Sequence, residues 1–255
     1  MIESLRSFFD ELESPDRHLV VVNRSSPDPV RNLIDSLLDG QPVSVSEVES
    51  DAASDADVVA LVEDGDVIAR STLDELLESV LLINSDLYKT GTVGLDEIEL
   101  PDVLRGLDEV PFRVRGYPAS DKEKLLLILV SRVIERIAAE RGDGTLRASF
   151  QRLSRINDER GTNAVYERVA ETGVDVHVYG VGDPEELSAL PLTVHTGTSY
   201  PYRRSWFVVF TPPRGSEGDH VALLALEDEP NVWDGFWTFR PELVTRLERH
   251  IAEEL

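Results

Sequence analysis

Six consecutive apolar residues, Leu125 to Val130, sit early in a segment with helical periodicity. On a helix they point in nearly every direction around the axis, so such a helix has to be buried on most sides. Its second half narrows to Val133, Ile134, Ile137 and Ala138, an ordinary one-faced stripe. Ser120 and Glu123 have capping-box spacing, which predicts a helix from Ser120 to about Arg141. Gly142, Asp143 and Gly144 then form a turn, and a strand runs from Thr145 to about Gln151. A buried helix followed at once by a strand predicts an α/β fold with mixed sheets flanked by helices.

The chain of 255 residues is long enough for one large domain or two modest ones, and 41% hydrophobic content supports a real core. Net charge is −24. Lys89, Lys122 and Lys124 are the only lysines, so 22 of the 25 basic residues are arginine. An acidic, lysine-poor chain suits a cytoplasm of high ionic strength, where salt screens self-repulsion, and predicts a halophilic source. With no cysteine there is no disulfide, thiolate metal site or cysteine nucleophile. The longest apolar run is too short to cross a bilayer, and Met1–Ser4 lacks the start of a secretory signal, so a cytoplasmic location without membrane contact is expected. A surface this negative repels phosphate backbones. Direct nucleic-acid binding is not expected, the best local basic patch being Arg203-Arg204.

Along the chain, Ile2, Leu5, Phe8, Phe9 and Leu12 predict a short amphipathic helix, and His18–Asn23 a buried strand. A helical stripe at Val30–Leu38, an edge strand at Val43–Val48 and an acidic loop from Glu49 to Asp57 follow. Val58–Val62 and Val67–Arg70 flank a Glu63-Asp64-Gly65-Asp66 turn and predict a hairpin, after which Ser71 caps a helix from Leu73 to Ile83. Leu87–Pro111 reads as a connector with a short helix, and Phe112–Arg115 as a strand. Further on are an Arg-rich turn (Arg152–Arg160), a helix (Thr162–Thr172) and strands at Val174–Tyr179, Leu192–His195, Ser205–Phe210, Val221–Leu226 and Phe236–Phe239. Pro241 opens a last helix with Leu243, Val244, Leu247 and Ile251 inward. Val58–Leu76 and Ala222–Leu243 share the order strand, Glu-Asp, strand, helix. This fits either two related lobes or a chance recurrence of a common unit.

Few residues suggest chemistry. Gly180-Val181-Gly182 lacks the third glycine of a dinucleotide loop and reads as a turn. His177 and His195 lie on predicted strands and meet if those strands pair, but a metal needs a third ligand that the sequence does not name. All three tryptophans, Trp206, Trp233 and Trp237, fall near the C-terminus with Phe207, Phe210, Phe236 and Phe239. They make either a pocket wall for a flat or apolar ligand or a core. Arg132, Arg147, Gln151, Arg152, Arg155 and Arg160 form a second group. They can hold an anionic ligand by bidentate contacts, or pair with the surplus carboxylates.

In chain order these are Ser131-Arg132-x-x-Glu135, Phe150-Gln151-x-x-Ser154, Tyr166 with Val169-Ala170, Val174–Gly180, Ser205–Val209 and Phe236-Trp237-Thr238-x-x-Pro241 with Val244. The set resembles the DICT sensory domain family, found with diguanylate cyclases and two-component regulators, over about Asp121 to Glu248. The resemblance implies a signal- or ligand-sensing module with no catalysis of its own. It divides the chain into an N-terminal α/β lobe (1–110) and a sensory domain (111–255), as two lobes or one continuous body. No cyclase, kinase or receiver domain is recognisable in the sequence. A stand-alone member is expected, its output passing through an unidentified signalling partner or a homodimer. Arg132, Gln151, Arg155, Trp206 and Trp237 are the expected ligand-binding residues, for a small molecule. Two other classes are carried beside this one: a small hydrolase or transferase using His177 and His195, and an interaction module built on the first amphipathic segment.

Overall fold

A computed structural model describes residues 4–13, 15–22, 44–48, 57–79, 95–115 and 125–255. The expected helix at Val30–Leu38, the acidic loop from Glu49 to Ala56, the capping box at Ser120 and Glu123, and the stretch from Leu87 to Gly94 lie outside those residues.

The described strands form two sheets. A four-stranded sheet has β1 (Arg17–Val22), β2 (Ser44–Val48), β3 (Val58–Glu63) and β4 (Asp66–Thr72) in the order β2-β1-β3-β4. Its β1–β2 pair is parallel and the others antiparallel. The predicted hairpin is β3–β4, with Asp64 and Gly65 at positive φ in its turn. The helix after it, residues 73–79, is capped by Thr72 and not by Ser71. The Thr72 hydroxyl accepts from the Glu75 amide at 3.2 Å and the Glu75 carboxylate accepts from the Thr72 amide at 2.7 Å, a reciprocal capping box. Ser71 instead accepts from the amide of Val103, in the short helix α1 (Asp102–Arg105).

The larger sheet holds β5 (Phe112–Arg115), β6 (Asp143–Arg152), β7 (Gly173–Val181), β8 (Thr193–Thr196), β9 (Ser205–Thr211), β10 (Val221–Glu229) and β11 (Val232–Thr238). Their order is β5-β11-β10-β9-β6-β7-β8, with β6–β7 and β7–β8 parallel and the rest antiparallel. Helix α2 (Leu125–Arg141) covers one face, and eleven of its side chains are buried, Ser131, Arg132 and Glu135 among them. Gly142, at φ 72°, ends it by donating to the Ala138 carbonyl, so only a residue at ease in the left-handed region closes this turn. At Gly144, φ 105°, a Cβ would lie 2.5 Å from the Thr211 carbonyl oxygen. The β6 strand begins at Asp143, inside the expected turn, because the β7 ladder reaches that far.

Between β6 and β7 the expected Arg-rich turn contains α3 (Ser154–Asp158), and α4 (Arg160–Ala170) follows with Thr162, Val165, Tyr166 and Val169 buried. Strand β7 continues through Gly180 and Val181, two residues that the sequence assigns to a turn. Helix α5 (Tyr200–Arg204) leads into β9, and α6 (Pro241–Glu254) closes the chain with Leu243, Val244, Leu247 and Ile251 buried as expected. The last strand is Val232–Thr238, which leaves Phe239 beyond it under the Arg105 guanidinium.

Strand alternation sorts the two faces. Leu146, Ala148, Val176, Val208 and Trp237 join the core with α2, whereas Tyr179, Phe207, Val209, Leu224 and Phe236 join the core under α6. With both faces covered, the first six residues of β10 are buried without a break. The first segment, Leu5–Glu11, forms a 3-10 helix whose apolar side lies on the α6 face: Phe8 is fully buried and Phe9 meets Phe236 edge-on. Glu11 takes both Arg246 terminal nitrogens, at 2.5 and 2.7 Å. The apolar side of the predicted interaction helix is therefore occupied within the chain.

Candidate functional site

The motif residues converge where α2 crosses β6 and β9. Trp206, half-buried on β9, donates its indole N–H to the Ser131 hydroxyl at 3.0 Å, and Ser131 donates in turn to the Leu127 carbonyl one helical turn back. Arg132 reaches Glu135 at 2.7 Å and the Thr162 hydroxyl of α4 at 2.9 Å. Its i,i+3 partner is on the same helix face, as helical spacing requires. The Arg132 and Glu135 side chains are only 8% and 3% exposed, so the pair has left water. The Tyr166 hydroxyl is buried with no hydrogen-bond partner among the described residues, within the field of the Glu135 carboxylate. Burial and that negative charge push the phenol well above its ordinary value and keep it neutral. Phe150 packs edge-on against the Tyr166 ring at 5.0 Å.

At the end of β6 the backbone departs from the ladder. Pairing with β7 shifts between Ser149 and Arg152, and Gln151 has φ 53°, the left-handed region that a residue with a long side chain rarely enters. The reason is local. In this conformation the Gln151 amide donates to the Ser205 carbonyl at 2.6 Å and accepts from Arg155 at 2.8 Å. The Ser149 hydroxyl donates to the same carbonyl at 3.0 Å and accepts from the Phe207 amide. The residue before Trp206 is thus gripped from β6 while Trp206 itself is gripped from α2. Strain of this kind collects at functional positions.

Four of the five expected ligand residues, Arg132, Gln151, Arg155 and Trp206, lie around this node. Trp237 is on the same face of the sheet two strands away, 2% exposed and 5.4 Å from the Phe112 ring, with no hydrogen-bond partner for its indole nitrogen among the described residues. The tryptophan that touches Trp206 is Trp233, edge-on at 6.1 Å. The expected arginine group divides. Arg147 faces α6, where it meets Glu248 at 2.8 Å and the Tyr179 hydroxyl at 2.6 Å, while Arg152 and Arg160 are exposed. Alternation along β6 carries the reason: Leu146 and Ala148 point to α2, so Arg147 cannot. Thr162, Ser149 and the Ser205 carbonyl are contributors that the sequence did not single out. Only the Arg132–Glu135 spacing gave a sign of the buried pair.

On the other face, β7 and β8 do pair, in the register Tyr179 opposite His195. His177 Nδ1 and His195 Nε2 are 2.9 Å apart, and His177 Nε2 is 3.0 Å from the Asp175 carboxylate. His195 stacks on Tyr179 with centroids 4.3 Å apart and planes within 6°. Among the described residues no group of three or more His, Asp or Glu side chains is placed to hold a metal ion. No helix of the described residues is long and apolar enough to cross a membrane.

The family model for DICT, described as a sensory domain in diguanylate cyclases and two-component system, matches residues 109–227, just under half of the chain. The matched segment holds β5, α2, β6 and every residue of the α2–β6–β9 node, and supports the family resemblance for a signal-sensing domain. It stops before β11, so Trp237 falls outside it. No curated protein matches the chain. One solved structure, a polyphosphate kinase from Porphyromonas gingivalis, is similar at 15% identity and a TM-score of 0.41, over 62% of this chain and 26% of that one. The chain thus spans about a quarter of that protein's length, and a likeness at this level carries no argument.

Proposed function

We propose that the chain is a sensory module of the DICT type that takes a small molecule at the α2–β6–β9 node and passes the change to a signalling partner. The observation that supports this most is the convergence of Ser131, Gln151, Arg155 and Trp206 on one strained crossing inside the matched segment, with Arg132 next to Ser131 on α2 and bonded toward α4. Trp206 offers an aromatic edge that is not fully buried, and Arg155 a guanidinium joined to the Ser205 carbonyl before it through Gln151. A ligand with a flat ring and an acidic group would compete for both. Trp237 backs the same sheet face as packing. The acidic, arginine-biased surface suits a halophilic, archaeal cytoplasm, and self-association is a second route for output.

The test is a thermal-shift screen of anionic aromatic metabolites in high salt, comparing the native chain with Arg155→Ala. The reading requires at least one compound that raises Tm for the native chain and loses most of that effect in the variant. Equal shifts in both would remove Arg155 from the site, and no shift with any compound would count against the ligand class.

A further inference from the structure

We propose that the His177–His195 pair is a proton-responsive latch that holds β8 on the sheet and is linked to the C-terminal helix through Tyr179 and Arg147. It lies on the face opposite the α2–β6–β9 node and stands independently of the ligand reading. The ring centroids are 5.2 Å apart while the facing nitrogens are 2.9 Å apart, and the planes differ by 24°. The two nitrogens therefore lie close to the line joining the rings, as in an N–H···N bond. Two ligands of one metal would instead turn their lone pairs toward a third point.

Hydrogen-bond inventory fixes what this arrangement can hold. Asp175 accepts only, so His177 Nε2 carries a proton toward it. One proton sits between the two rings. A further proton can be taken while that bond survives, because the imidazolium of one ring can donate to the neutral other. Taking up both leaves two N–H groups facing each other and two adjacent positive charges, and the bond is lost.

The surroundings select when that happens. Burial, then the charge on His177 and the Arg147 guanidinium, push the His195 imidazole below the usual histidine value. The folded form therefore binds fewer protons than the unfolded one. Its stability is full above the ordinary histidine range and falls as pH drops through it. The groups facing the pair are Asp175 and Tyr179 on β7, Arg147 on β6 and Glu248 on α6. Of the other elements packed against these two strands, the 3-10 helix Pro184–Leu187 carries exposed Glu185 and Glu186, and α5 carries Tyr202 with exposed Arg203 and Arg204. Strand β8 has four residues and pairs only with β7 among the described residues, so few other bonds hold it. Tyr179 carries the change inward, since His195 stacks on its ring and Arg147 ties its hydroxyl to Glu248.

The experiment is hydrogen exchange on the full chain, with imidazole nitrogen NMR, between about pH 7.5 and about pH 5, the span over which histidine changes charge. Protection of the Thr193–Thr196 amides, corrected for intrinsic rates, should fall by up to about tenfold per pH unit from the ordinary histidine value down to the lowered His195 value, then level off, while β9 and β10 hold. In His195→Phe, which keeps the stack on Tyr179 without ring nitrogens, that pH dependence should vanish. At the upper pH the NMR should show one protonated and one bare nitrogen between the rings. Independent titration of the two rings in the native chain, β8 protection unchanged with pH, or the same fall in His195→Phe would each overturn the latch.

Discussion

Replacing Arg132 with methionine is the substitution whose cost follows most directly from the structure. The guanidinium is 2.7 Å from Glu135 and 2.9 Å from Thr162, and both charged side chains are almost wholly out of water. Methionine keeps the volume and apolar stem but leaves the Glu135 carboxylate buried without its cation, beside the Tyr166 hydroxyl. Breaking one side of such a pair costs about 3–5 kcal/mol, most of it the penalty of an uncompensated buried charge. The exposed Arg168–Asp96 pair, 44% and 60% accessible, should yield below about 1 kcal/mol under the same treatment. Replacing both members, Arg132→Met with Glu135→Leu, should return most of the loss, because two apolar side chains restore a dry core. Urea unfolding of the native chain, Arg132→Met, Glu135→Leu and the double variant at one fixed salt concentration closes the double-mutant cycle, with Arg168→Met as the surface control. A single-variant cost as small as that of the surface pair, or a double variant as weak as the single, would refute the claim that this pair is desolvated.

Other substitutions probe the rest of the molecule. Trp237→Ala should lose about 3–5 kcal/mol in chemical denaturation, since its indole is fully packed against Phe112; a cost under about 1 kcal/mol would mean the side chain is not core. Trp206→Phe removes the bond to Ser131 and trims the edge contact with Trp233, and should cost about 1–2 kcal/mol, read by the same unfolding curves. At Gln151, valine should destabilise by about 1–3 kcal/mol and by more than glycine does, because valine loses the amide bonds and also tolerates positive φ worst. Deleting residues 1–13 uncovers the apolar surface around Phe236 of β11 and Leu247 of α6, and should shift the chain to larger species on size exclusion in high salt.

Much of the architecture was legible because its signals are local. The all-round apolar helix, the Val-rich hairpin and the Pro241 helix with its four inward residues each declared a period and an end. Some local misses were of one residue, as when the cap fell on Thr72 and not Ser71, whose hydroxyl serves Val103; others were larger, since the last strand begins at Val232 and not Phe236, and neither α3 nor α5 was expected as a helix. The node was legible only as a set of residue types. Nothing in sequence spacing says that Gln151 and Ser149 close on the Ser205 carbonyl 54 and 56 residues on. The positive φ that permits this arises from a bulge, which has no reliable sequence mark at a glutamine. Strand alternation would have separated Arg147 from the other arginines, since its neighbours Leu146 and Ala148 already claim the α2 face. The His177–His195 contact was conditional on a strand pairing, and that pairing is present.

The central claim is that the α2–β6–β9 node is a binding site, and native mass spectrometry of the full chain purified in high salt tests it most directly. The account predicts a retained small molecule on the native chain that is lost in Arg155→Ala and kept in the surface control Arg168→Ala. A native chain at its bare mass, or a retained molecule that survives Arg155→Ala unchanged, would contradict it.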